Sequence, residues 1–180
     1  IDASFHRACE SGNIELVKFL LELFTSIDIS YNEEMPFQDA CRSGNIEMVK
    51  YLLEIKPDID IFAYKNEAIK TACYCGSIEI TKYLLELTQI KDKNNSEFNF
   101  NIKKLLICAA QSCNLELFKF LLSNEFNNNI DLSFNNETLL IIACNSRNNA
   151  LVKYLIEIKP DIDIHTTNSI KGKDYCFKFV

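Results

Sequence analysis

The sequence predicts an all-α solenoid built from stacked helix–turn–helix units. The main observation is a repeat: Gly12, Gly44 and Gly76 lie 32 residues apart, and an alanine–cysteine pair precedes each of them at the same distance. Apolar residues after each glycine recur with the period of one helix face. The chain also has only 4 glycines and 3 prolines, which are too few for a loop-rich β protein.

Composition and charge narrow the classes of function. The chain has 180 residues, of which 48% are hydrophobic and 24% charged, and this suffices for a domain with a substantial core. The net charge of −6 disfavours nucleic-acid binding, which needs clustered basic residues to neutralise phosphates. No apolar run approaches the roughly 20 residues that span a bilayer. We therefore expect neither a nucleic-acid partner nor a membrane span.

The repeat unit occurs five times. The glycine column continues in two further copies, where it holds Cys113 and Arg147. The segment 54–61 recurs unchanged at 157–164, at the same place in the second and fifth copies. We predict a single domain over residues 1–180, in which 169–180 form a degenerate cap or a partial sixth repeat. The predicted repeats are 2–33, 34–65, 66–102, 103–136 and 137–168.

Each unit is predicted to begin with a short helix, for instance over residues 4–10. An apolar residue, Phe5 in the first copy, stands shortly before the alanine–cysteine pair. The small side chains of that pair let neighbouring backbones approach closely. A glycine in the left-handed conformation would then end this first helix. Cys113 and Arg147 at that position cost about 1 kcal/mol each if the backbone stays left-handed.

A second, amphipathic helix follows the glycine column. Apolar residues at i, i+1, i+4 and i+5 form one broad stripe, and a lysine lies on the opposite, solvated side. Glu15 and Lys18 are spaced to form one of several weak ion pairs on that side. An asparagine or serine after the glycine column is well placed to cap the helix. The caps are Asn13, Asn45, Ser77, Asn114 and Asn148, and the lysines are Lys18, Lys50, Lys82, Lys119 and Lys153.

These units resemble ankyrin repeats. Residues 5–22 read F-H-x-A-C-x-x-G-N-x-E-L-V-x-F-L-L-E, which is similar to the family pattern L-H-x-A-A-x-x-G-H-x-E-I-V-x-L-L-L-E. Pro36 stands at the family's helix-starting proline, Thr138 at its threonine and His6 at its histidine. The resemblance covers about residues 3–164. It implies an ankyrin-repeat solenoid of helix–turn–helix units with protruding β-turn or hairpin loops.

The loops depart from the family pattern. A Lys-Pro pair replaces Gly-Ala at 56–57 and 159–160, so these turns are expected to differ. The chain is also longer between the third and fourth copies and after the fourth, and we expect enlarged loops at 91–100 and 124–129.

Four of the eight cysteines fall in one column and are predicted to be core thiols. Adjacent helices in a stack lie about 8–10 Å apart, whereas a disulfide requires Cα atoms within about 7 Å. The remaining cysteines do not match the spacing of a metal site. We therefore expect no metal, no cofactor and an intracellular, cytoplasmic location. The core column is Cys9, Cys41, Cys73 and Cys144, and the others are Cys75, Cys108, Cys113 and Cys176.

The sequence offers little for catalysis, and we predict that the chain is not an enzyme. His6 occupies the structural histidine position of the resembled family, and His165 is interpreted as an exposed residue or a partner contact. The paired aspartates 58/60 and 161/163 occupy the same loop position in two copies, which indicates a repeat feature instead of an acid–base pair.

The resemblance implies a scaffold that binds a protein through the concave face of its loop tips and first helices. Several loop-tip residues are aromatic, which is a composition typical of binding hot spots; the alternative is that these rings pack beneath their own loops. The predicted loop-tip residues are Tyr31, Asn32, Phe62, Tyr64, Phe100, Phe134, Asn135 and His165. The predicted first-helix residues are Arg7, Glu10, Ser11, Asp39, Arg42, Ser43, Thr71, Tyr74, Cys75, Gln111, Ser112, Asn145 and Ser146.

Two other functions stay open. The chain starts at Ile1 without an initiator methionine and ends abruptly at Val180, which favours a longer parent. In that case it is the substrate-recognition arm of a multidomain enzyme or a ubiquitin-ligase adaptor. A small-molecule or nucleotide site in the groove is the third hypothesis, which the acidic balance does not support. We expect a monomer with a protein partner of unknown identity.

Overall fold

The computed structural model describes residues 2–91, 102–123 and 136–160, which form ten helices and no strand. The chain divides into two compact units, Ile1–Phe100 and Asn101–Val180, each of which is described by itself. The helices of the first unit are α1 (Asp2–Glu10), α2 (Ile14–Leu23), α3 (Tyr31–Ser43), α4 (Ile46–Ile55), α5 (Ala63–Tyr74) and α6 (Ile78–Lys91). Those of the second are α7 (Ile102–Gln111), α8 (Leu115–Leu122), α9 (Asn136–Asn145) and α10 (Asn149–Ile158).

The first unit contains three helix pairs stacked side by side. The first helices α1, α3 and α5 pack in one layer, and the second helices α2, α4 and α6 pack in another. Phe5, Phe37 and Ile69 come from one column of the repeat, and all three are buried between the layers. The predicted all-α architecture of stacked helix–turn–helix units is thus confirmed.

The second unit contains two helix pairs, α7–α8 and α9–α10, and α7 packs against α9. The ring of Phe118 meets that of Tyr154 edge-on, with the ring centroids 6.4 Å apart. Of the predicted enlarged loop 91–100, Lys91 belongs to α6 and the rest lies outside the described residues. The predicted loop 124–129 and the predicted cap 169–180 also lie outside them, so their structure stays a prediction.

The turn between the two helices of a pair is left-handed, as predicted. The φ angles are 68° at Gly12, 75° at Gly44 and 73° at Gly76. The two replacements keep this conformation, with φ of 61° at Cys113 and 55° at Arg147. The fold therefore imposes the left-handed turn even where the residue disfavours it.

Asparagine side chains cap the second helices. The Oδ1 atom of Asn13 accepts a hydrogen bond from the backbone N–H of Leu16 at 3.0 Å, and Asn114 and Asn148 cap α8 and α10 in the same way. Asn45 does more: its Oδ1 caps α4, and its Nδ2 donates to the carbonyl oxygen of Gly12 at 2.9 Å. That bond ties the first repeat to the second.

The lysine column does more than the predicted solvated role. Lys18 pairs with Glu15 at 3.1 Å, as the spacing predicts. Its Nζ atom also lies 5.7 Å from the centroid of the Tyr51 ring in the next repeat, and Lys119 lies over Tyr154 in the same way, at 5.5 Å. These cation–π contacts link successive second helices.

The predicted cysteine column is confirmed as part of the core. Cys9, Cys41, Cys73 and Cys144 are all buried. Burial raises the pKa of the Cys9 thiol to about 12, with a smaller contribution from Asp39. The thiol is therefore neutral at physiological pH, and it packs as a small apolar side chain.

One apolar stripe on α2 is uncovered. Leu16, Phe19 and Leu23 are 41%, 56% and 57% exposed. Met48 and Ile80 occupy the same column as Leu16 in α4 and α6, and both are fully buried. The stripe thus has the composition of a stacking surface, although the described residues do not cover it.

Each described inter-repeat loop consists of two successive turns. In the loop after α4, the amide of Ile59 donates to the carbonyl of Lys56, and that of Ala63 donates to the carbonyl of Asp60. Pro57 follows Lys56, at the turn position that proline favours. The Asp60 carboxylate accepts from the amide of Phe62 at 2.9 Å. Asp60 thus has a turn-forming role, whereas the equivalent Asp163 of the fifth copy lies outside the described residues.

Candidate protein-binding surface

A cleft of about 470 Å³ lies on the first-helix side of the first unit, between α1 and α3. His6, Arg7 and Glu10 on α1 line one wall, and Asp39 and Arg42 on α3 line the other. Its remaining wall is formed by Ala3 and by the beginning of α3, at Tyr31, Asn32 and Met35. Loop-tip and first-helix residues therefore meet in one depression.

The charged groups of the cleft form a connected network. Asp39 accepts from Arg42 Nη1 at 2.6 Å through Oδ1, and its Oδ2 lies 3.0 Å from His6 Nδ1. Arg7 Nη1 donates to Glu10 Oε2 at 2.8 Å, and Arg42 Nη1 lies 3.9 Å from Glu10 Oε1. The network joins the first helices of two adjacent repeats. His6 is thus partnered, in keeping with its structural interpretation, and it also lines the cleft.

A left-handed turn opens α3 and presents the loop tip beside the cleft. Asn32, Glu33 and Glu34 have φ angles of 51°, 57° and 63°. Pro36 then stands in the first right-handed turn, where a missing N–H costs little. This placement agrees with its expected helix-starting role.

Two hydrogen bonds hold this turn in place. The Ser30 hydroxyl donates to the Glu34 carboxylate, with its oxygen 2.8 and 2.7 Å from the two carboxylate oxygens. The Gln38 side chain donates to the carbonyl of Glu33 at 2.7 Å. Because three consecutive residues without glycine adopt a disfavoured conformation, such bonds are needed to offset the strain.

The same turn recurs one repeat later, at the start of α5. Tyr64, Lys65 and Asn66 have φ angles of 49°, 57° and 64°. The amide of Asn66 donates to the carbonyl of Phe62 at 3.0 Å. The Tyr64 side chain is 64% exposed, so the turn holds an aromatic ring in solvent. The equivalent position of the first turn holds Asn32, so the two turns share a backbone conformation but present different side chains.

The predicted site residues have different surroundings. Arg7, Tyr31, Asn32 and Arg42 meet at the cleft, whereas Tyr64 and Tyr74 are exposed outside it. Phe62 is half-buried. Gln111 and Asn145 are exposed on the second unit. Phe100, Phe134, Asn135 and His165 lie outside the described residues.

Sequence reasoning missed three residues of the cleft, Ala3, His6 and Met35. Met35 has no distinctive pattern in the sequence, and His6 was assigned only a structural role. His6 pairs with Asp39 at a separation of 33 residues, and Asp39 pairs with Arg42 at i,i+3. The opposite charges of Asp39 and Arg42 at i,i+3 are a sequence signal from which their ion pair could be predicted. The contact of His6 with Asp39 could not be predicted in this way, because it depends on how α1 and α3 are staggered.

Within the described residues, the surface shows neither a group of metal-ligating side chains nor a helix able to cross a membrane. No three histidine, cysteine, aspartate or glutamate residues there gather in a way that could hold a metal ion. None of the ten helices is both long and apolar enough for a bilayer.

Comparisons with known proteins identify the family. The family model described as "Ankyrin repeats (3 copies)" matches residues 5–96 and 87–168. The crystal structure of the human ASB11 ankyrin repeat domain is similar in fold, with a TM-score of 0.59 and 20% sequence identity. The match covers 86% of this chain and 68% of that one. A search of curated proteins finds no match. Together with the stacked helix pairs and the left-handed turns between them, the family match shows that this chain belongs to the ankyrin repeat family.

Proposed function

We propose that this protein is a non-catalytic scaffold that binds another protein through its loop tips and first helices. Ankyrin repeats generally mediate protein–protein interactions. The observation that carries the choice of surface is the exposure of two tyrosines beside the first helices. Tyr64, the first residue of one strained turn, is 64% exposed, and Tyr31, which directly precedes the other turn, is 45% exposed. Strain of this kind persists mainly where function requires it.

The chemistry of this surface is that of a binding site. Tyrosine and arginine are enriched at the energetically important positions of interfaces. Tyr31, Arg7 and Arg42 meet at one cleft, and Tyr64 and Tyr74 add exposed aromatic rings on α5. In the second unit, taken by itself, we propose Gln111 and Asn145 as partner contacts, because they hold the corresponding first-helix positions there.

The proposal also covers the cellular location, the oligomeric state and the boundaries of the repeats. The buried thiol column favours a reducing, intracellular environment, and we propose a cytoplasmic monomer. The repeat boundaries 2–33, 34–65, 66–102, 103–136 and 137–168, within a single ankyrin-repeat domain, belong to this proposal too.

A second candidate function is that of a recognition arm in a larger assembly, such as a multidomain enzyme or a ubiquitin-ligase adaptor. The uncovered α2 stripe favours it, because helices at the end of a repeat stack need a polar outer face for solubility. Leu16, Phe19 and Leu23 break that rule, and they suit a contact with another folded segment.

Affinity capture from cell extract, quantified by mass spectrometry, tests the proposal. We expect the Tyr31→Ala/Tyr64→Ala double variant to lose at least about tenfold of the specifically captured protein, since each hot-spot residue contributes about 2 kcal/mol or more. The matched control is Glu47→Ala/Lys50→Ala, which removes an exposed ion pair on α4. Circular dichroism checks that both variants stay folded.

Equal capture by the wild type and the tyrosine variant contradicts the proposed surface. A Phe19→Lys/Leu23→Lys variant separates the two candidates. If it loses the captured protein while the tyrosine variant retains it, the α2 stripe is the binding surface and the recognition-arm function is favoured.

A further inference from the structure

We propose that the cleft between α1 and α3 binds a carboxylate of the partner, an aspartate or glutamate side chain that lies next to an apolar residue. This inference rests on the proposed binding function and deepens it, because it names the chemical group that the first repeats accept. It is carried by the distribution of hydrogen-bond donors and acceptors, by exposure and by the shape of the cleft.

Arginine is concentrated at this cleft. The chain has 19 lysine and arginine residues, of which only Arg7, Arg42 and Arg147 are arginines. Two of these three line the same depression, one on each of two adjacent first helices. Arginine offers a planar set of donors that matches the geometry of a carboxylate, which lysine does not.

Most of the hydrogen-bonding capacity that remains in the network belongs to the arginine donors. Both carboxylate oxygens of Asp39 already face a partner, Arg42 or His6, at 2.6 and 3.0 Å. Glu10 Oε2 accepts from Arg7 at 2.8 Å, whereas Glu10 Oε1 lies 3.9 Å from Arg42, beyond hydrogen-bond distance. Each guanidinium group has five N–H donors, and all these contacts use Nη1. A ligand that complements this network is therefore an acceptor.

The arginine side chains of the network are more exposed than its carboxylate side chains. The side chain of Arg7 is 82% exposed and that of Arg42 is 47% exposed. The side chains of Glu10 and Asp39 are 35% and 11% exposed. An approaching group thus meets the guanidinium groups first, with the carboxylates behind them. The arrangement favours an anion over a cation at the cleft.

The balance of charge favours a single carboxylate over a phosphate or a polyanion. The two arginines of the cleft already face two carboxylates, so the network carries no net positive charge and each further negative charge on a ligand adds repulsion. The net charge of −6 on the whole chain also repels a nucleic acid. The cleft would therefore recognise the carboxylate through direct contact over a few ångströms, where the attraction between opposite charges is strongest.

An apolar wall beside the arginines selects the neighbouring residue. Met35 and the half-exposed ring of Tyr31 line this wall, and the ring meets His6 edge-on with a centroid distance of 5.6 Å. The cleft volume of about 470 Å³ lies within the usual range for ligand pockets, about 300–1,000 Å³. It has room for a carboxylate and one adjacent apolar side chain.

Selection of a phage-displayed library of random 12-residue peptides on the full chain tests this inference. We expect enrichment of aspartate or glutamate within three residues of leucine, isoleucine, methionine or phenylalanine. The enriched peptide and its glutamine-for-glutamate or asparagine-for-aspartate analogue are then titrated by fluorescence anisotropy. Wild type should bind the acidic peptide about tenfold more tightly or better, as expected for hydrogen bonds to a charged group.

Arg7→Gln provides the second arm of the test, and Arg147→Gln is its matched control. Arg7→Gln should remove most of the preference for the acidic peptide, whereas Arg147→Gln should leave it intact. Enrichment of lysine or arginine, no enrichment of acids, or tighter binding of a phosphoserine analogue overturns the inference. An acidic preference that persists in Arg7→Gln also overturns it.

Failure of this inference and failure of the proposed function give different results. Peptides whose binding depends on Tyr31 and Tyr64 but not on Arg7 leave the proposed surface in place and reject the carboxylate site. If no selected peptide depends on any of the three residues, both are rejected.

Discussion

At the residue scale, the left-handed turn between paired helices is the strictest requirement of the repeat. Five positions adopt it, and Cys113 and Arg147 do so in spite of their side chains. Such residues cost about 1–2 kcal/mol relative to the right-handed conformation. Packing fixes the helices on either side of each turn. The free energy that this packing contributes therefore exceeds the cost of the strained turn.

A comparison of Gly44→Ala with Gly12→Ala separates the cost of backbone strain from the cost of steric crowding around the added Cβ atom. A Cβ atom at Gly44 would meet no atom within 4 Å, so we expect a cost of about 1 kcal/mol from backbone strain alone. A Cβ at Gly12 would lie 3.1 Å from Asn45 Cβ and 3.4 Å from Ser43 Cβ. Urea unfolding should show that Gly12→Ala lowers the free energy of unfolding more than Gly44→Ala does. A larger loss at Gly44 would contradict this assignment.

At the element scale, the helix caps differ in what they join. Asn13 caps α2 only, through the amide of Leu16. Asn45 caps α4 and also reaches back to the Gly12 carbonyl. A single side chain therefore fixes the start of one helix and its position against the preceding repeat.

Substitutions at the two caps measure these roles. Asn13→Ala should cost about 1 kcal/mol, the usual value for a lost cap. Asn45→Ala should cost about 2 kcal/mol because the bond to Gly12 is lost as well. Asn45→Asp keeps the capping oxygen and removes the donor, so thermal or urea unfolding should place it between wild type and Asn45→Ala. Equal losses in Asn13→Ala and Asn45→Ala would show that the link between repeats contributes nothing.

The sequence predicted well those features that recur at the same place in every repeat. The glycine, asparagine and cysteine columns depend on contacts made inside each helix pair or at the same place in each pair, so alignment of the copies reveals them. The left-handed turns at Asn32–Glu34 and Tyr64–Asn66 were missed because neither contains the glycine that normally marks such backbone.

The charge network of the cleft could be predicted only in part. His6 and Asp39 are separated by 33 residues, one more than the repeat period, so their contact depends on the stagger of α1 against α3. The cation–π contact of Lys18 with Tyr51 depends on the same kind of geometry. Alignment shows which residues share a column but does not give the offset between neighbouring columns.

At the scale of the whole molecule, most of the residues of the proposed binding surface that the structure describes belong to the first unit. The cleft, the two left-handed turns at the starts of α3 and α5, and the two tyrosines most exposed among the described residues, Tyr64 and Tyr74, lie within Ile1–Phe100. The two units are alike in their caps, turns and core, so they share a fold. Among the described residues, the first helices of the two units differ in the side chains that they present to solvent.

Site-specific photocrosslinking tests most directly the claim that a partner binds loop tips and first helices. Benzoylphenylalanine replaces Tyr64 in one variant and Lys50, on the exposed side of α4, in another. After irradiation with the captured partner, the account predicts a covalent adduct from position 64 and little or none from position 50. An adduct from position 50 with none from position 64 would contradict it.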